Sequence, residues 1–186
     1  MKYKMPVKSN LKSRTSTISN AFTISITPYI VPTPKEIAQL LCDLDIKDGQ
    51  CAYCLRPANS TDHFRPLVKN GLPNGYISDI NNLVPCCADC NSSKGKKDWD
   101  EWYNSEKNLL RLKGYGLSDA DITHRFEVLQ AFDFKTKADR IDYEKVLGKE
   151  KWEDFISNKK ALNQRLIDEQ KFCDELRKII EGKIDK

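Results

Sequence analysis

The chain has 186 residues, of which 31% are charged and 39% hydrophobic, and its formal net charge at neutral pH is +4. Its mean hydropathy is −0.62, and no apolar run approaches the length that spans a bilayer, so we expect no membrane partner. The N-terminus lacks the apolar core of a signal peptide, which predicts a cytoplasmic protein. The length suits one domain, or a small core with a helical appendage.

The first part of the chain is basic. It contains no acidic residue before Glu36, and its positive charges are Lys2, Lys4, Lys8, Lys12, Arg14 and Lys35. Such an asymmetry attracts a polyanionic partner, but basic ends rich in Ser and Thr are also typical of solvated tails. Charge alone leaves both interpretations open.

Two short elements are predicted before residue 48. Apolar and polar residues alternate over residues 22–26 (FTISI), which is the period of a half-buried strand. A helix is expected over residues 34–44, because Thr33 can cap its first turn and Glu36 completes the capping box.

Residues 49–98 differ in character from the rest of the chain. Short apolar pieces alternate with turn signals, including Asn-Gly pairs that begin at Asn70 and Asn74. This segment is loop-rich, and it could hardly build a large hydrophobic core of its own. Most of the cysteines lie here.

The cysteines of this segment form two Cys-x-x-Cys pairs, Cys51 with Cys54 and Cys87 with Cys90. Each pair can present two thiolates to one ion, so the spacing predicts a closed, tetrahedral, structural Zn²⁺ site. Such an ion would replace the core that the segment lacks. Cys86 is an alternative to Cys87, but only Cys87 reproduces the spacing of the first pair.

Between and after the cysteine pairs, the sequence contains Asp62-His63, Asn82-Leu83 and, directly after Cys90, Asn91. In this order, over residues 51–97, these motifs resemble the HNH endonucleases. The resemblance implies a ββα-metal (His-Me finger) fold, in which a β-hairpin and a helix hold one divalent cation. The expected fold class is α+β, with a small zinc-stabilised ββα-metal module embedded in a mainly helical chain that has a short N-terminal strand region.

The resemblance also implies a role for each of these positions. His63 would be the general base, and Asp62 and Asn91 would be ligands of a catalytic Mg²⁺ or Mn²⁺. Asn82 would hold the loop and orient the histidine, with Asn81 as a rival for this position. The chemistry is consistent, because an imidazole titrates near neutral pH and a hard cation prefers oxygen ligands.

Further contacts with nucleic acid are expected around this site. If residues 62–66 form a strand, Arg65 shares a face with His63 and would lie over the scissile phosphate. The alternative for Arg65 is an ion pair with a carboxylate such as Asp79. Backbone phosphate contacts, or else a solvated helix face, are expected of three lysines: Lys94, Lys96 and Lys97.

Beyond Trp99 the pattern is helical to the end. Ser118 predicts a capped helix start, and a shorter helix is expected over residues 137–147. A final apolar stripe, interrupted by Lys159 and Glu169, would pack on the chain's own core, or else form a homodimer or bind a partner protein. The predicted domains are a basic N-terminal segment with a strand and a capped helix, the nuclease module, and a helical C-terminal region: 1–48, 49–98 and 99–186.

The sequence therefore predicts a metal-dependent endonuclease that acts on DNA in restriction or anti-phage defence. One alternative is a nuclease subunit of a larger defence complex with an ATPase partner, because the HFRP segment at residues 63–66 resembles the nuclease component of Septu-like systems. The other alternative is a non-catalytic zinc module that binds nucleic acid. This second alternative gives no role to Asp62, His63 and Asn91.

Overall fold

The structure is a computed structural model, and it describes residues 6–137 and 140–184. Lys2 and Lys4 of the basic segment lie outside the described residues. In chain order the helices and strands are α1 (Thr15–Ile24), α2 (Pro34–Asp43), β1 (Ser60–His63), β2 (Val68–Lys69), β3 (Leu72–Pro73), β4 (Leu83–Cys86), α3 (Ala88–Lys94), α4 (Trp99–Tyr103), α5 (Glu106–Gly114), α6 (Asp119–Lys135), α7 (Tyr143–Leu147) and α8 (Lys149–Ile184).

The chain forms two compact units. The terminal unit consists of Met1–Ile26 together with Tyr143–Lys186, and the central unit is Thr27–Asp142. The fold is mainly helical, and its strands are short and antiparallel. None of the helices in the described ranges combines the length and apolar character that a membrane crossing requires.

In the terminal unit, α1 packs against α8. The rings of Phe22 and Phe155 stack with their centroids 5.1 Å apart, and the Asn163 side chain donates to the Ser19 hydroxyl. The strand predicted over residues 22–26 is wrong, because this segment is helical as far as Ile24. Packing of an aromatic face on α8 overrides the local β-preference of the alternating residues.

The capped helix starts are confirmed. Thr33 accepts a hydrogen bond from the Glu36 amide while the Glu36 carboxylate accepts from the Thr33 amide, so both halves of the capping box form at α2. Ser118 and Asp121 form the same box at α6. Local hydrogen bonds of this kind can be read from the sequence because donor and acceptor are three residues apart.

The last two helices follow the prediction in part. The helix expected over residues 137–147 begins only at Tyr143, and residues 138 and 139 lie outside the described residues. The final helix α8 continues through Lys159 and Glu169, the two positions that interrupt its apolar stripe.

In the central unit, β1 pairs with β4 in an antiparallel ladder that places Asp62 opposite Val84. The chain between them forms the small β2–β3 hairpin, whose two-residue turn is Asn70-Gly71. Both turn residues have positive φ, 53° and 77°, as a type I′ turn requires. Helix α3 begins two residues after β4, which completes a ββα arrangement.

The core of the central unit is aromatic and joins the ββα arrangement to the helices that follow it. Phe64, directly after β1, lies 5.0 Å from Trp99 and 5.2 Å from Phe132 between ring centroids. Tyr53 meets Trp102 edge to face at 5.0 Å. The predicted domain boundaries after residues 48 and 98 fall inside this unit, and the three-part division stays a prediction.

We expect the Gly75→Ala variant to lose about 3 kcal/mol of unfolding free energy, because a Cβ at this position both strains the backbone and overfills the space around it. Gly75 has a φ of 87°, and an added Cβ would lie 2.8 Å from the Cβ of Arg140 and 2.9 Å from the Ile141 oxygen. Urea denaturation with excess zinc measures the loss.

Gly49→Ala is the matched control. Its φ of 75° is equally unusual, but an added Cβ meets nothing within 4 Å. It should cost only about 1 kcal/mol, from backbone strain alone. Equal losses in the two variants would contradict the close approach at Gly75.

Candidate active site

Four cysteines form one buried cluster. The Sγ atoms of Cys51, Cys54, Cys87 and Cys90 all lie within 4.8 Å of one another. The first two belong to the turn before β1, and the last two flank the start of α3. Four soft thiolates in a closed, buried group fit the tetrahedral site that structural Zn²⁺ prefers.

Cys86 lies outside this cluster. Its Sγ contacts the Ser60 hydroxyl at 3.1 Å, and burial raises the pKa of Cys86 to about 12, so the thiol is neutral. Cys87 instead caps α3, because its Sγ accepts a hydrogen bond from the Cys90 amide. Of the two alternatives, Cys86 and Cys87, it is Cys87 that belongs to the four-cysteine cluster.

Arg111 lies against the cluster and was not predicted from the sequence. Its guanidinium lies 3.8 Å from the Cys90 Sγ and donates to the Asp89 carbonyl. It also stacks over Trp102, 5.3 Å from the ring centroid. A guanidinium here offsets the negative charge that four thiolates would carry.

His63 ends strand β1 and is half-buried. Its Nε2 lies 2.7 Å from the Ser78 hydroxyl. Burial lowers the pKa of His63, as does the charge of Lys94, whereas the charge of Asp62 raises it. The net lowering favours a neutral imidazole at neutral pH, the form that can accept a proton.

Ser78 is a second residue that the sequence did not indicate. Its backbone is paired with the segment before α2, donating to the Pro28 carbonyl at 3.0 Å and accepting from the Ile30 amide at 2.8 Å. Ser78 itself is buried. A serine held at both backbone groups presents a fixed hydroxyl to the imidazole.

Asp62 is buried beside the histidine, with an exposed fraction of 5%. Its Oδ2 accepts a hydrogen bond from the Tyr53 hydroxyl at 2.7 Å and forms an ion pair with the Lys94 ammonium at 2.9 Å. Burial and the charge of Asp62 raise the pKa of Tyr53 well above its ordinary value, so the phenol stays protonated.

Helix α3 brings Asn91 against strand β1. The Asn91 Nδ2 lies 3.2 Å from the Ser60 hydroxyl and 3.4 Å from the Thr61 carbonyl. The amide thus contacts the two residues that precede Asp62 in the strand. The structure brings Asp62 and Asn91, both predicted as cation ligands, to the same junction of strand and helix.

Asn82 holds the loops on either side of the histidine. Its Oδ1 accepts from the Arg65 amide, and its Nδ2 donates to the Arg65 and Ile77 carbonyls. Ile77 is the residue before Ser78. Asn81 is more exposed, and its side chain donates to Asp79.

Arg65 does not occupy its predicted place. Strand β1 ends at His63, so the alternation that would put Arg65 on the same face does not extend to it. Its side chain is buried, pairs with the Asp133 carboxylate and donates to Thr136. The ion-pair alternative describes Arg65, although the partner is Asp133 and not Asp79.

Lys94 also departs from the prediction, because a buried ammonium is not a surface contact for DNA. The Lys94 side chain is fully buried, and its Nζ donates to the His63 carbonyl at 2.7 Å in addition to pairing with Asp62. Lys96 and Lys97, just after α3, are exposed.

An antiparallel strand pair followed by a helix, with an Asp-His pair on the first strand and an Asn on the helix, is the arrangement that the sequence resemblance implies. Residues 51–97, about a quarter of the chain, match the family model described as HNH endonuclease.

A curated relative supports the assignment. The chain is 32% identical over 78 residues to the "SPbeta prophage-derived putative HNH endonuclease YoqL" of Bacillus subtilis (strain 168). The match covers 39% of this chain and 32% of the relative, so the chain spans about a third of the relative's length. No solved structure matches the chain at a significant level.

We expect purified protein to contain about one zinc per chain, and the Cys54→Ser variant to lose it together with thermal stability. Elemental analysis and thermal denaturation measure both effects. The matched control is Cys86→Ser, which changes a buried cysteine outside the cluster and should keep its zinc. Full zinc content in Cys54→Ser, or zinc loss in Cys86→Ser alone, would refute the assignment of ligands.

Proposed function

We propose that this protein is a metal-dependent endonuclease that hydrolyses DNA phosphodiester bonds in the cytoplasm, in restriction or anti-phage defence. The observation that carries the proposal is the junction of β1 and α3. There the strand carries a half-buried histidine and a buried aspartate, and the helix carries an asparagine that contacts the strand, inside a segment that matches the HNH endonuclease model. DNA is the substrate class that this family indicates.

His63 is the general base in this proposal. Its Nε2 lies within hydrogen-bond distance of the Ser78 hydroxyl. In the tautomer that this role requires, Nε2–H donates to that hydroxyl and the Nδ1 lone pair takes a proton from the attacking water. Asn82 supports this geometry from both sides, through the Arg65 and Ile77 backbone groups. Asn82 and Ser78 therefore position the base.

Asp62 and Asn91 are the proposed ligands of the catalytic cation. One carboxylate and one amide oxygen suit Mg²⁺ or Mn²⁺, which take few protein ligands and keep several waters. When bound, such a cation stabilises the charge of the phosphate in the transition state and the departing oxygen. The four-thiolate cluster is soft and closed, so it serves structure and not this chemistry.

Exposed basic residues are the proposed contacts with the DNA backbone. Lys96 and Lys97 follow α3 directly and are exposed. The basic N-terminal segment would add sequence-independent attraction. The setting in phage–host conflict draws support from the relative, whose name describes it as prophage-derived.

A second candidate function is that of a nuclease subunit in a defence complex, or a homodimer, assembled through α8. Its C-terminal half carries apolar side chains that are exposed: Phe172, Leu176, Ile179 and Ile180. An ATPase partner, as in Septu-like systems, would be one occupant of this face. Co-purification from the native host, together with the mass of the purified protein in solution, separates a complex from a stand-alone enzyme.

We expect the protein to cut plasmid DNA with Mg²⁺ or Mn²⁺, and His63→Ala to lose at least about 100-fold in rate, the usual contribution of a general base. His124→Ala is the matched control, because it removes the only other histidine, an exposed one that pairs with Asp45. Rates measured on supercoiled plasmid decide the matter. Equal rates for His63→Ala and wild type would overturn the mechanism.

We expect Ser78→Ala to lower kcat about tenfold with little change in KM, since it frees the imidazole to rotate without removing a contact with DNA. Ser93→Ala is the control. It removes a hydroxyl in the same module that accepts from the Trp102 indole and does not touch His63. A change in KM alone would contradict a positioning role for Ser78.

A further inference from the structure

Lys94 has a buried ammonium group that forms an ion pair with Asp62, one of the proposed cation ligands. Its side chain has an exposed fraction of 0%, and its Nζ lies 2.9 Å from the Asp62 Oδ2 and 2.7 Å from the His63 carbonyl. Burying a lysine costs free energy unless an opposite charge and hydrogen bonds compensate it, and both compensations come from the Asp62-His63 pair. Lys94 therefore belongs to the site electrostatically, although it does not face the solvent.

The two partners of Asp62 hold the same carboxylate oxygen. Tyr53 donates to Oδ2 at 2.7 Å, and Lys94 pairs with that atom. Within the described part of the chain, Oδ1 receives no hydrogen bond. The carboxylate is thus fixed in orientation through Oδ2, and Oδ1 is the oxygen that a cation would take in the proposed function.

The ion pair also removes the net charge from this site. Asp62 and Lys94 carry opposite unit charges 2.9 Å apart, so together they have no net charge. Asn91, the other proposed ligand, carries no charge. A divalent cation binds more weakly as the negative charge of its ligands falls. A site of zero net charge with two protein ligands is a poor cation site on its own.

We propose that Lys94 makes the catalytic cation site depend on the substrate: Mg²⁺ or Mn²⁺ binds weakly to the free protein and tightly only when a DNA phosphate supplies the missing negative charge. This inference rests on the proposed function, because it takes Asp62 and Asn91 as the cation ligands. The competing explanation is that Lys94 only ties α3 to β1, which predicts no effect on cation affinity beyond that of misfolding.

Binding of the two ligands must then be reciprocal, because a phosphate that strengthens cation binding is itself bound more tightly with the cation present. The test uses zinc-loaded, full-length His63→Ala protein and a fluorescent DNA duplex. Mn²⁺ affinity of the protein alone is read by electron paramagnetic resonance, and duplex affinity by fluorescence anisotropy with and without Mn²⁺. We expect weak Mn²⁺ binding without DNA and at least about a tenfold gain in duplex affinity with Mn²⁺.

The decisive variant is Lys94→Met in the same background, which removes the charge and keeps much of the length. Without DNA, its Mn²⁺ affinity should rise about tenfold or more, and the gain in duplex affinity with Mn²⁺ should shrink. Mn²⁺ should also raise its melting temperature more than that of the parent, because the unpaired Asp62 charge gains a partner. Tyr53→Phe is the control, since it removes a hydrogen bond from the same oxygen without changing charge.

Three outcomes separate the explanations. Unchanged or weaker Mn²⁺ binding in a folded Lys94→Met protein would overturn the inference. If Lys94→Met does not fold, tight Mn²⁺ binding by the parent without DNA would overturn it equally. If Asp62→Asn binds Mn²⁺ as tightly as the parent does, Asp62 is not a cation ligand. If His63→Ala cuts the duplex, His63 is not the general base. Either result would contradict the proposed function and would not bear on the role of the Lys94 charge.

Discussion

The meeting of four buried cysteines is the constraint on which the central unit depends. The strands around the site have two to four residues each, and the segment between the cysteine pairs is mostly turn. A structural zinc contributes on the order of 10 kcal/mol to folding in small modules, which is comparable with the whole stability of a domain. Such an ion would fix the turn at residues 51–54 to the start of α3, and with them the pairing of β1 and β4.

The candidate active site is built directly on this anchor. Tyr53 lies between the first two cysteines, so the turn that presents two thiolates also presents the hydroxyl that holds Asp62. The same turn is tied to β4, because the Ala52 amide donates to the Pro85 carbonyl. At the other end of α3, Lys94 binds the His63 carbonyl. The four-cysteine cluster and the proposed cation ligands thus share one short strand and one short helix.

Much of this could be predicted from the sequence, because the signals are local. Capping boxes, an Asn-Gly turn and paired cysteines each depend on residues a few positions apart. The failures have equally physical causes. Arg65 pairs with Asp133, and His63 contacts Ser78. In each case the partners are too far apart in the sequence for a periodic pattern to predict the contact. The local pattern predicts a strand where α1 lies, because the packing on α8 that favours a helix comes from a segment more than a hundred residues away in the sequence. Lys94 is different: it is three residues after Asn91 in one helix, so its inward direction could have been inferred.

Cys87 has two tasks that cannot be separated. Its sulfur belongs to the thiolate cluster, and it also accepts the hydrogen bond that caps α3. Oxidation of this thiolate would therefore remove a cluster member and a helix cap in one event. Since α3 carries both Asn91 and Lys94, loss of the cap would also disturb the candidate active site, without any reaction there. The proposed nuclease activity would therefore depend on the reducing state of the surroundings through Cys87, a residue that takes no part in the chemistry.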